Sequence, residues 1–190
     1  MNSNFTVIYD ACVLYPAPLR DFLMHLALTD LFRACWTNTI HDEWIRNVLK
    51  QRPDLTAENL ERTRSLMNAN VRDCLVTDFE HLIPSIELPE GEDRHVVAAA
   101  IRAGASLIVT FNLKDFPRER LDTYNLAARH TDDFVVDLLD LNAAVVCAAA
   151  ANHRRSLKNS PKTADEYLDT LTKQELTQTV RLLREWKVAI

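Results

Sequence analysis

Phe5-Thr6-Val7-Ile8-Tyr9-Asp10 decides the fold. Five residues of apolar or β-favouring type carry no charge, so the run reads as a buried strand, and an acid stands where it ends. A second such run, Leu107-Ile108-Val109, continues through Thr110-Phe111-Asn112-Leu113-Lys114 to another acid, Asp115. Between and after the two runs, segments of helical period alternate with short strand candidates. Leu19, Phe22, Leu23, Leu26, Leu28 and Leu31 mark one helix. Thr37, Asn38 and Thr39 offer N-caps for the next, which carries Glu43, Trp44, Ile45, Val48 and Leu49 and stops at Pro53. A third runs from about Thr56 to Cys74. A fourth begins near Glu92-Asp93 and ends at Gly104, which tolerates the left-handed conformation of a helix end. Ala34-Cys35-Trp36, Leu75-Val76 and the stretch from Tyr124 to Arg129 are further strand candidates, and a helix is expected from Thr131 or Asp132 to Leu141.

Strands alternating with helices predict an α/β domain built on a parallel sheet covered on both faces. After Leu141 the alternation stops. Ala143 to Leu157, Ala164 to Leu171 and Lys173 to Trp186 all look helical, so the chain divides into an α/β domain over residues 1–141 and a helical extension over 142–190.

Composition narrows the function. The 190 residues are 47% hydrophobic and 26% charged, as in an ordinary soluble globular protein. Two glycines, Gly91 and Gly104, are too few for a G-x-G-x-x-G fingerprint or a P-loop, which excludes nucleotide binding by either route. Cys12, Cys35, Cys74 and Cys147 form no C-x-x-C pair and suggest neither a zinc site nor a disulfide framework. Asp10 interrupts the N-terminal apolar stretch before a signal peptide could form, and the nearly uncharged run from Leu141 to Asn152 is short for the ~20 residues of a membrane helix. The expectation is a soluble protein of the cytoplasm, away from the membrane.

Asp10 and Asp115 are two of four acids that the topology can bring together. In an open parallel sheet, ligands bind beyond the carboxyl ends of the strands, beside the starts of the following helices. Glu43 and Asp93 lie near the starts of helical segments, so the four could meet at one edge although 33, 50 and 22 positions separate them in turn. Asp42 points about 100° away from Glu43 around the helix, and Glu43, beside Trp44 and Ile45, is the better placed of the two. Asp93 could also serve as an acid at a helix N-terminus, and Asp115 could merely end a turn before Phe116-Pro117. Gathered carboxylates repel one another unless cations lie among them, and hard cations such as Mg²⁺ or Mn²⁺ take oxygen ligands. The net charge is −5; with these four acids set aside it is only −1, so a filled site could still attract phosphate. That combination suits metal-dependent hydrolysis of a phosphodiester bond.

Four blocks of sequence carry a resemblance. Asp10 after a strand, Glu43 on a helix, Glu92-Asp93-Arg94-His95-Val96-Val97-Ala98-Ala99-Ala100, and Thr110-Phe111-Asn112-Leu113-Lys114-Asp115-Phe116 together resemble the PIN-domain nucleases over roughly residues 5 to 140. Within them the chain looks like the VapC-type toxins of prokaryotic toxin–antitoxin pairs. The resemblance implies a three-layer α/β/α fold with a central parallel sheet. It further implies a Mg²⁺- or Mn²⁺-dependent endoribonuclease in which Asp10, Glu43, Asp93 and Asp115 are the catalytic and metal-binding acids and Thr110 and Asn112 their polar supports. Asp165 to Leu171 looks like part of a helical extension found in longer members. A small antitoxin that places a basic side chain at the acidic site is the implied partner, and members of this type often look dimeric, so a homodimer is expected. The chain departs from the pattern at Ala11-Cys12, where many members have Ser or Thr just after the first Asp.

Lys114, Arg118 and Arg120 flank Asp115 and could hold an RNA backbone through its phosphates, and Arg154, Arg155 and Lys158 form a second basic strip. His95 stands two residues beyond Asp93 and is expected on another face of its helix; His41 lies close to Glu43. Other functions fit less well. A haloacid-dehalogenase-type phosphatase wants a second Asp two positions after the first, where this chain has Cys12, and Tyr9-Asp10-Ala11-Cys12 lacks the acid pair of a receiver domain. A PIN-like scaffold without catalysis is the remaining alternative.

Overall fold

A computed structural model describes residues 5–190. The two runs that open the sequence analysis become β1 (Thr6–Tyr9) and β3 (Leu107–Thr110), and they lie side by side. With β2 (Arg33–Cys35) and β4 (Ala127–His130) they form a four-stranded sheet in the order β2-β1-β3-β4, parallel throughout. Leu75 adds an isolated parallel bridge to Trp36 where a further strand was expected.

The order reverses direction after β2. From β1 the chain steps outward through α1 (Ala11–Leu14) and α2 (Ala17–Ala27) to β2. It then returns by way of α3 (Asn38–Gln51), α4 (Ala57–Asn70) and α5 (Arg94–Ala103) to the other side of β1, and finally through α6 (Arg118–Leu121) to β4. The loops leaving β1 and β3 therefore depart in opposite directions. Such a switch point opens a crevice at the carboxyl ends of the two strands, where α/β proteins bind their ligands.

Local chemistry sets the helix boundaries. Thr37 caps α3 by accepting from the Ile40 N–H, and the helix ends at Gln51, two residues before Pro53. Gly104 ends α5 in the left-handed region with φ 61°, which a residue bearing a Cβ reaches only at a cost. α5 packs on β1 and β3, whereas Tyr9 turns to the opposite face. There its hydroxyl donates to the Leu23 carbonyl of α2 at 3.4 Å, and its ring meets Phe32 and Phe134. Helices on both faces of a parallel sheet make the three-layer α/β/α architecture that the sequence predicts.

The helix expected to end at Leu141 and the one expected to begin at Ala143 run on as α7 (Thr131–Ser156). No proline or glycine interrupts this stretch. Asn142 alone leaves helical geometry (φ −161°, ψ 86°), and its side chain accepts from the Val145 N–H at 3.2 Å, so the chain kinks and restarts without a loop. By length and composition α7 is apolar enough to span a membrane, but half of its apolar window is buried inside the protein, against α2 and α9 (Thr177–Glu185) among others. The predicted extension shares the main core: Tyr167, Leu168 and Leu171 of α8 (Ala164–Thr172) and Val180 and Leu183 of α9 belong to the same buried cluster as Val7 and Ile8.

Asp132, in the first turn of α7, fastens α9 in place. It is 4% exposed, and its two oxygens accept from the backbone N–H groups of Gln178 and Thr179, each at 2.8 Å. A carboxylate at a helix N-terminus meets both the free N–H groups and the positive end of the helix dipole. Asp132→Ala is expected to lower the unfolding free energy by about 2–3 kcal/mol, as for loss of charge-assisted hydrogen bonds in a buried place. Urea denaturation followed by circular dichroism measures this, and a loss below about 0.5 kcal/mol, the size of a neutral surface change, would refute the role.

Candidate active site

Asp10 follows β1 and stands level with Thr110 across the β1–β3 pair, because Tyr9 is in register with Val109. It is only 5% exposed. One carboxylate oxygen accepts from the Ala11 N–H at 2.6 Å, which caps α1. The other accepts from the Thr110 hydroxyl at 2.7 Å and from the Cys12 thiol at 3.1 Å. Two strands and a helix start thus fix one carboxylate in a single orientation.

Cys12 lies beside this carboxylate, on the first turn of α1. Its sulfur also lies 3.3 Å from the Thr110 hydroxyl and accepts from the Phe111 N–H at 3.3 Å. Burial, followed by the neighbouring Asp10 charge, pushes this thiol up to about 12, so it stays protonated and donates to the carboxylate. The predicted supports divide the work unequally. Thr110 uses its side chain, whereas the Asn112 contact comes from its backbone N–H, which donates to the Thr110 hydroxyl at 3.0 Å, while the residue itself is exposed.

Asp93 immediately precedes α5 and makes no capping hydrogen bond, so its carboxylate is free for another purpose. Burial pushes it up from 3.8 to about 6, reinforced by the charges of Asp10, then Asp115, and more weakly Glu43; His95 acts in the opposite sense. Asp93 therefore lies in the field of the other three acids predicted from the sequence. Asp115 ends a short turn, Leu113–Asp115, held by a bond from its N–H to the Asn112 carbonyl at 3.0 Å. A depression of about 670 Å³ lined by Thr6, Arg33 and Asp73 lies at the other end of the strands and contains none of the four.

Glu43 and Asp42 separate as the helix geometry requires. Asp42 is exposed and pairs with Arg64 of α4 at 2.9 Å. Glu43 turns toward α5, where an oxygen lies 2.9 Å from His95 Nε2. His95 was expected on another face of its helix. His95 stands in the first turn of α5, and because helical Cα–Cβ bonds tilt toward the N-terminus its ring can reach the Glu43 carboxylate. His41 is not at the site. It is buried between Asn68 and Trp44, with its Nε2 3.0 Å from the Asn68 side chain and its Nδ1 accepting from Trp44 at 3.0 Å, and so ties α3 to α4.

The basic residues beside Asp115 are exposed, but two of them have acidic partners: Arg118 lies 3.4 Å from Asp122, and Arg120 lies 2.7 Å from Glu87. Lys114 is exposed on the turn that leads to Asp115. In the second strip Arg154 is spent on structure, donating to the carbonyls of Ile190 and Lys162.

Among the described residues, no three Asp, Glu, His or Cys side chains converge closely enough to enclose a metal ion by themselves. The donor set nevertheless suits Mg²⁺ or Mn²⁺: all four acids offer hard oxygens, and Mg²⁺ is usually held by one or two carboxylates with water completing the shell. The like charges that add to burial in raising Asp93 are a repulsion that a cation relieves.

The state of Asp93 has a measurable signature. An acid raised in the folded state costs stability when ionised: nothing below its unfolded value of 3.8, and the full amount above its folded value of about 6. In EDTA, Asp93→Asn is therefore expected to melt above the parent at pH 7.5, with the advantage shrinking through pH 6 and gone by 3.8. A melting difference independent of pH would show that charge is not the cause.

Comparison with known proteins bears on the family of the chain. The family model described as the PIN domain matches residues 6–114, and the model described as the VapC50 C-terminal domain matches residues 131–185. A candidate ribonuclease of Mycobacterium tuberculosis, VapC50, is 42% identical over 83 residues, which are 44% of this chain and 49% of that protein. The chain thus spans about half the length of this curated relative. No solved structure matches. With the PIN-domain model covering more than half of the chain and its span containing the β1–β3 switch point, the chain belongs to the PIN domain family.

Proposed function

We propose that this protein is a Mg²⁺- or Mn²⁺-dependent endoribonuclease and the toxin of a toxin–antitoxin pair. The observation that carries this reading is the state of Asp93, which burial, and after it the charges of Asp10, Asp115 and Glu43, push up to about 6. These four residues would hold the metal. The bound cation supplies charge neutralisation for the phosphodiester and a water activated near neutral pH.

The remaining work falls to the chain itself. Thr110, Cys12 and the Ala11 N–H keep Asp10 in one orientation, so no reorganisation is needed when substrate arrives. Lys114 offers an ammonium group to the RNA backbone beside Asp115. Arg118 and Arg120 can do so by exchanging their exposed acidic partners for phosphate, an inexpensive exchange since such surface pairs contribute little.

A toxin with an acidic site suits a small antitoxin that covers it with a basic side chain. Likeness to VapC50, together with the match to the VapC50 C-terminal domain, supports the toxin reading. The protein is further proposed to work in the cytoplasm, away from membranes, as a homodimer, with residues 1–141 as the nuclease domain and 142–190 as an extension docked on it.

Cleavage of a mixed single-stranded and structured RNA pool tests the reading, with Mn²⁺, Mg²⁺ or EDTA and with Asp10→Asn beside the parent. Metal-dependent cutting is expected, and the mutant should lose at least about a hundredfold, equivalent to ~2.7 kcal/mol of barrier. No cutting under any condition, with no Mn²⁺ binding by calorimetry, would favour a PIN-like interaction module without catalysis.

A further inference from the structure

Glu43 differs from the other three acids in how it is held. Asp10 is fixed by a strand end and three donors, and Asp93 and Asp115 sit on a helix start and a short turn. Glu43 projects from α3 on a longer side chain with one more torsion than Asp, and a quarter of that side chain is exposed. Left alone it would sample several rotamers, few of them directed at the sheet edge.

His95 meets it. The imidazole is 8% exposed, and its Nε2 lies 2.9 Å from Glu43 Oε1. The contact is an ion-pair distance rather than an aligned hydrogen bond; a carboxylate oxygen only accepts, so it favours the tautomer with the proton on Nε2. The other ring nitrogen, Nδ1, is buried with no hydrogen-bond partner. Burying a ring with one nitrogen unsatisfied is a cost that an apolar residue would avoid, and the Glu43 contact is what the ring gains in return. Only one Glu43 oxygen is engaged, so the other is left for a cation. Carboxylates that bind metals are commonly oriented by an outer partner of this kind.

We propose that His95 is a positioning residue: its imidazole, set against the Glu43 carboxylate, holds Glu43 in the orientation that completes the cation site, so the affinity of the site depends on this single contact between α5 and α3. The inference rests on the reading of the four acids as metal ligands. It adds a fifth residue that touches neither metal nor substrate.

Calorimetric titration of the full-length protein with Mn²⁺ tests it, with a melting curve in EDTA for every variant. His95→Leu is expected to weaken Mn²⁺ binding about tenfold or more, the usual cost of losing an outer-shell partner. His95→Gln, whose amide N–H falls near the position of Nε2, should restore affinity to within about threefold, whereas His95→Asn, whose amide falls near Nδ1, should not. Glu43→Ala combined with His95→Leu should bind no more weakly than Glu43→Ala alone, because both changes remove the same contribution. A merely structural histidine predicts another pattern, in which melting temperatures fall while affinities stay put and the two losses add. Mn²⁺ binding lost in Asp10→Asn but unchanged in folded His95→Leu overturns the inference alone; no Mn²⁺ binding by the parent overturns the metal-site reading and the inference with it. Should His95→Leu fail to fold, equal affinities for the Gln and Asn variants overturn it.

Discussion

A buried carboxylate survives only when its oxygens are met, and the way Asp10 is met organises the rest of the molecule. Its donors come from three sources: the start of α1, the Cys12 thiol and the Thr110 hydroxyl at the end of the neighbouring strand. The Thr110 bond spans 100 residues and forms only when β1 and β3 are parallel and in register. A one-residue slip would turn Thr110 to the opposite face and leave Asp10 buried without its strongest side-chain partner. The register of the central strands and the geometry of the site are thus one constraint, enforced by one hydroxyl.

Much of this was legible in the sequence because the signals were local. The apolar runs at 5–9 and 107–109 become adjacent strands, Thr37 and Gly104 bound their helices through their own chemistry, and Asp42 and Glu43 diverge as adjacent helical residues must. The failures were non-local. The contact of His95 with Glu43 joins residues 52 apart on two helices, which no rotation around one helix could foresee. The pairing of Arg120 with Glu87 joins residues 33 apart, and the burial of His41 between Asn68 and Trp44 requires α4 to lie against α3. No periodicity announces such contacts. The departure at Cys12 was visible, but its meaning was not until the thiol proved to donate to Asp10.

Charge is distributed so that structure and ligand binding do not compete. Arg64 and Arg154 hold helices and chain ends in place, whereas the cations nearest the acids lie on an exposed turn and a short helix. Among the described residues, no arginine or lysine lies within ion-pair distance of Asp10, Glu43, Asp93 or Asp115, and the only basic group that does is His95 beside Glu43. On the proposed reading, an ion from solution and a basic group from a partner would satisfy the same need and so exclude one another.

The Asp132 clasp also orders events in time. Its donors, Gln178 and Thr179, are synthesised 46 and 47 residues after it. Until they arrive, a carboxylate destined for burial remains without its partners at the corner where β4 enters α7. The α/β layers can collapse earlier, but this corner closes only once α9 has emerged and docked. The helix thus acts as a seal, laid down after the layers whose corner it closes.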